Sequence, residues 1–70
     1  MIKSFAIFEE KSTGAACALV RYESGAMREF FAENLLCLPN SLHKAYASGE
    51  FVVVRERDGI VRSGKWYERK

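Results

Sequence analysis

Asp58-Gly59, lying between Phe51-Val52-Val53-Val54 and Ile60-Val61-Arg62, constrains the fold of this chain more than any other dipeptide in it. An Asp-Gly pair flanked by apolar, β-branched residues is the strongest short signal for a β-hairpin. A two-residue type I′ turn needs positive φ at both central positions, and these residue types tolerate it. The stretch Phe51–Lys70 therefore reads as a closing hairpin. With a two-residue turn, Arg55 faces Arg62, Val54 faces Ser63 and Phe51 faces Trp66. Alternation of side chains then gives one face to Phe51, Val53, Arg55, Arg57, Ile60, Arg62 and Trp66. A bulge at Ser63-Gly64 is the alternative that would shift this register.

The other glycines also sit where elements should end. Gly14 closes the polar run Glu10–Gly14 after a first strand, Ile2–Glu9. Ser24-Gly25 joins a second strand, Ala15–Tyr22, to a third, Ala26–Phe31. In the second strand, Ala16, Ala18, Val20 and Tyr22 share a face whose small alanines admit a close helix. In the third, Met27, Glu29 and Phe31 share one face and Arg28 and Phe30 the other.

Between residues 32 and 49 the apolar period changes. Leu35, Leu38, Leu42, Ala45 and Tyr46 follow helical spacing. Proline is tolerated only in the first turn of a helix, so the regular helix is predicted from about Pro39 to Ser48. Gly49 stands where a left-handed residue ends it. Residues 32–37 are expected to form a loop or one irregular turn.

The order β-β-β-α-β-β implies an α+β domain spanning residues 1–70, an antiparallel sheet with one short helix packed on one face. A strongly bent sheet or small barrel capped by the helix is the alternative. So small a domain buries only about 60 % of its unfolded surface. Nine aromatics help, and a homodimer would add core.

The chemistry of the sequence is sparse. His43 is the only histidine, and Cys17 and Cys37 the only cysteines. Neither a CxxC motif nor a Cys/His cluster occurs, so no metal site is expected, and no glycine-rich phosphate loop points to a cofactor. A Cys37–His43 pair with Glu33 or Glu50 is the one catalytic arrangement to weigh against a surface histidine and a buried thiol. The expectation is a protein that is not an enzyme. No leader-like segment is visible, and apolar runs fall far short of the ~20 residues that span a bilayer. A cytoplasmic protein with free thiols is expected.

Charge is distributed unevenly. Residues 1–50 hold five basic and six acidic side chains, and residues 51–70 hold six and three. The basic excess, the arginines and the nearby aromatics make Arg55, Arg57, Arg62, Trp66 and Phe51 the expected contact surface, with Lys65 and Arg69 at its rim. The unspecialised alternative is a solvated face balanced by Glu50, Glu56 or Glu68. Two functional readings use the surface. One is a protein-binding module that meets an acidic surface or pocket of a larger protein; by size and class alone, it is the kind of regulator or inhibitor that phages and mobile elements encode. The other is a binder of single-stranded RNA or DNA. A homodimer and free sheet edges are further routes to association.

Overall fold

A computed structural model describes residues Met1–Lys70. Strands β1 (Ile2–Glu10), β2 (Ala16–Tyr22) and β3 (Met27–Ala32) form a meander. A 3-10 turn at Leu35–Cys37 and helix α1 (Asn40–Ala47) follow, then strands β4 (Phe51–Asp58) and β5 (Arg62–Arg69). All five strands join one antiparallel sheet in the order β3-β2-β1-β5-β4, so β1 is central. The sheet is open, with β3 and β4 as its edges. This is the α+β arrangement expected, and not the barrel.

The helix begins where proline permits. Pro39, at φ −54° and ψ 146°, occupies the N-cap position. The residues before it form the irregular turn, tied by the Asn34 side chain accepting from the Cys37 amide at 3.2 Å. Gly49 takes φ +75° after the helix, a conformation costly for any residue with a Cβ.

One face of the sheet receives the helix. Leu38 and Leu42 pack against Phe5 of β1, Ala16, Ala18 and Val20 of β2, and Tyr67 of β5. The alanines give the close approach expected of them, since Ala16 and Ala18 are fully enclosed. Phe5 holds the centre, stacked on Tyr67 at 4.6 Å and edge-on to Phe51 at 5.1 Å. Eight helical residues span about 12 Å, less than half of an eight-residue strand. The helix thus leaves a groove of ≈ 380 Å³ beside it, between Ile7, His43, Tyr46 and Lys65.

The last hairpin departs from the expected register in two ways. Asp58 pairs with Ser63, so four residues, Gly59 to Arg62, separate the last facing pair. Gly59 does not adopt positive φ; its amide donates to the Arg62 carbonyl at 3.0 Å. The loop is longer than a type I′ turn, and Ile60 and Val61 form its exposed tip rather than strand. The register also shifts between Val53 and Arg55, placing a bulge at Val54 and not at Ser63-Gly64.

The longer loop has tertiary causes. The Lys11 amide donates to the Val61 carbonyl at 2.9 Å, and the Lys11 ammonium pairs with Asp58, so the β1–β2 turn grips the tip. Gly64 lies opposite Phe8 of β1. A Cβ at Gly64 would come within 2.8 Å of the Phe8 ring, so this position on β5 must be the residue without one.

Candidate functional site: the uncovered face of the sheet

Because side chains alternate along each strand, the face opposite the helix is defined by Ala6 and Phe8 of β1, Cys17 and Leu19 of β2, and Trp66 of β5. The edge strands add Met27, Glu29 and Phe31 on one side and Val52, Arg55 and Arg57 on the other. Nothing packs over it. Phe31 and Met27 are 75 % and 59 % exposed. A shallow groove of ≈ 340 Å³ runs between Leu19, Met27, Val54, Arg55 and Trp66.

The apolar centre is ordered by aromatic geometry. Phe8 meets Trp66 edge-to-face, with centroids 5.2 Å apart and rings at 87°. The Arg55 guanidinium lies over the indole, 5.1 Å from its centroid. Such contacts contribute about 0.5–1.5 kcal/mol each and hold large side chains in one arrangement. Ala6 is buried although it belongs to this face, its register neighbours being the larger Leu19 and Trp66.

The seven residues expected at the contact surface divide. Arg55, Arg57, Arg62 and Trp66 share the open face, but in a different arrangement. Arg55 faces Trp66, Arg57 faces Gly64, and Arg62 faces Glu10 of β1, so no two arginines oppose each other directly. The other three lie on the helix side. Phe51 belongs to the core against Phe5, because the Val54 bulge reverses the alternation between Phe51 and Arg55. Lys65 pairs with Glu56 at 3.7 Å. Arg69 is a structural clamp: it donates to the Ile2 carbonyl at 2.6 Å, approaches Glu50 at 3.4 Å and covers the Phe51 ring at 4.7 Å.

The sequence reading missed Phe8, Leu19, Met27 and Phe31 as site residues. Their signal was present. Strand alternation put each on a definite face, and a single eight-residue helix can cover only one side of a five-stranded sheet. The apolar residues of the other side are then left to an outside partner or to solvent.

The titratable groups here are few. Burial pushes the Cys17 thiol up, Glu29 adds to the effect and Arg62 opposes it. Cys37 is exposed. The His43 ring nitrogen lies 3.3 Å from the Leu36 carbonyl, and no hydrogen bond joins it to Cys37. No group of three or more metal-ligating side chains is gathered anywhere. No helix is long and apolar enough to cross a membrane.

The exposed area exceeds that of a compact chain of this size. A compact monomer of 8.0 kDa shows about 4,450 Å² by the usual size scaling. This chain shows 4978 Å². Fold and surface together define a two-layer α+β protein with one sheet face unpartnered. No protein-family profile, curated protein or solved structure matches the chain.

Proposed function

We propose that the protein is a non-enzymatic protein-binding module whose contact surface is the open sheet face. Trp66, Phe8 and Leu19 form its apolar centre, and Arg55, Arg57 and Arg62 its cationic border. One observation carries this reading: the only helix packs on the opposite side, leaving aromatic and arginine side chains, the types that dominate protein hot spots, on an unpartnered surface. The arginines call for carboxylates on the occupant.

Charge favours a protein over a nucleic acid. The face carries Arg21, Arg55, Arg57 and Arg62, interspersed with Glu10, Glu29 and Glu68. Phosphate backbones are bound through an uninterrupted positive field. Here the signs alternate, and the indole that would stack a base already carries Arg55.

The test is capture by immobilised wild type against a Phe31→Asp/Arg57→Glu variant, both positions being exposed and tolerant of change. The preys are a differently tagged copy of the chain and a whole-cell lysate. Capture that the variant loses, with its circular dichroism unchanged, is the expected result. Equal capture by both would remove the face from the reading. Tight binding of a labelled single-stranded oligonucleotide, weakening steeply with salt, would transfer it to nucleic acid.

A further inference from the structure

The open face is arranged in rows that cross the sheet from β3 to β4. The middle row reads Glu29, Leu19, Ala6, Trp66, Arg55. The row nearer the start of β1 reads Met27, Arg21, Ser4, Glu68, Val52. The row nearer its end reads Phe31, Cys17, Phe8, Gly64, Arg57. In each row the central residue belongs to β1, so the face has a natural midline.

We infer that the occupant of this face is a second copy of the chain, packed sheet to sheet about a two-fold axis that runs parallel to β1. The inference rests on the proposed protein-binding role of the face and names its partner. A rotation about that midline lays β4 over the partner's β3, and β5 over the partner's β2. In the middle row Arg55 then meets the partner's Glu29, and Trp66 meets the partner's Leu19. In the next row Arg21 meets the partner's Glu68, and Met27 meets the partner's Val52. In the third, Arg57 lies over the partner's Phe31, and Phe8 approaches the partner's Phe8. The small residues Ala6 and Ser4 fall on the axis, where two sheets can come closest.

Charge favours this axis over one perpendicular to the strands: it makes four opposite-charge pairs against one like pair, Glu10 over the partner's Glu10 at the end of the face, where Arg62 lies beside each. An axis perpendicular to the strands stacks each strand on itself, setting Arg55 against Arg55 and Glu29 against Glu29. Like charges brought together at an interface are strongly disfavoured. The carboxylate that Arg55 requires is thus present on the chain itself, at Glu29, and a strand-parallel axis likewise brings Glu68 to Arg21.

The area is sufficient. Five strands at about 4.8 Å spacing and three to four residues per strand make a face roughly 24 Å on each side. That is about 550 Å² per copy and about 1,100 Å² for the pair before side-chain relief, above the ~1,000 Å² that marks a specific interface. Sheets packed with their strands roughly aligned, as in β-sandwiches, lie about 10 Å apart.

Charge exchange tests the geometry. Sedimentation velocity of the wild type across a concentration series is expected to show a monomer–dimer equilibrium. Emission of the only tryptophan, Trp66, is expected to shift to the blue as the dimer forms. Glu29→Arg and Arg55→Glu alone each place two like-charge pairs in the interface and are expected to raise the dimer Kd about tenfold or more. The double variant Glu29→Arg/Arg55→Glu restores both pairs and is expected to return to within roughly threefold of wild type. Circular dichroism confirms that each variant is folded. A wild type still monomeric at about 1 mM overturns the inference. So does a dimer that the single reversals leave unchanged, or one that the double variant fails to recover. If the wild type is monomeric yet face-dependent capture of another protein persists, only the identity of the partner falls. If neither occurs, the binding role falls with it.

Discussion

Replacing Gly64 by alanine tests whether the open face is as closely built as its geometry indicates. The added Cβ would lie 2.8 and 3.0 Å from two atoms of the Phe8 ring and 3.2 Å from the far edge of Trp66. Phe8 must swing aside, and the edge-to-face contact with Trp66 goes with it. Overpacking of this kind costs about 1–3 kcal/mol, and the aromatic pair contributes about 0.5–1.5 kcal/mol within that cost. Alanine also reduces the conformational freedom of the unfolded chain, which returns about 0.5–1 kcal/mol because Gly64 is not at positive φ. The net loss is roughly 0–2.5 kcal/mol, centred on about 1 kcal/mol, from a total that for seventy residues is about 4–10 kcal/mol. The expected fall in Tm is roughly 4–8 °C at the central value for a domain of this size. Urea or thermal denaturation at one fixed, low protein concentration measures it without a contribution from association. The control is the same substitution in a Phe8→Ala background. There the closer obstruction is gone and only the 3.2 Å approach to Trp66 remains, so Gly64→Ala should cost markedly less. An equal loss in both backgrounds would refute the reasoning, because the cost would then have nothing to do with Phe8.

Three further outcomes follow from the core and the titratable groups. Leu42 is the helix residue most enclosed against the sheet, so Leu42→Ala should cost about 2–5 kcal/mol, read as a lower urea midpoint followed by helical ellipticity; an unchanged midpoint would contradict its place in the core. The buried Tyr67 hydroxyl is held above its ordinary value of 10.0, by burial first and by Tyr46 beside it second. The native state therefore keeps a proton that the unfolded chain gives up. Tyr67 contributes its full stability below pH 10.0 and loses it as pH climbs further, so the urea midpoint should fall on the alkaline side and fall less steeply in Tyr67→Phe. Cys37 is exposed and Cys17 is held back by burial, so a thiol reagent at mild pH should modify Cys37 first, about tenfold faster; equal rates would contradict the placement of Cys17.

Much of the fold was legible because local signals agreed. Pro39 could stand only at a helix start, Gly49 only past its end, and Ala16, Ala18 and Val20 marked the face on which the helix settles. The last hairpin was legible as a hairpin but not in its register. Asp58-Gly59 promises a turn without fixing its length. What fixes the length lies on β1: Phe8 demands a glycine opposite, and the backbone at Lys11 holds Val61 in the loop. No local pattern in residues 51–70 carries that information. The error carried over to the site, since the bulge at Val54 turns Phe51 into the core while Arg55 and Arg57 stay on the open face. Arg69 was misplaced for a similar reason. Its role as a clamp depends on Ile2, 67 residues away.

The central position of β1 also sets the order in which the protein can assemble. Its pairing with β2 closes through the short turn after Glu10 and can form early. Its other edge waits for β5, whose Glu68 lies opposite Ser4. Closing a loop of that length must precede any gain from the contacts it makes, so docking of the β4–β5 hairpin onto the meander is the step expected to be slowest in folding. Until it occurs, β1 presents a bare strand edge and Phe5 lacks both Tyr67 and Phe51. Any other chain reaching that edge first would compete with β5 for the same hydrogen bonds, which makes the nascent meander the stage most exposed to misassembly.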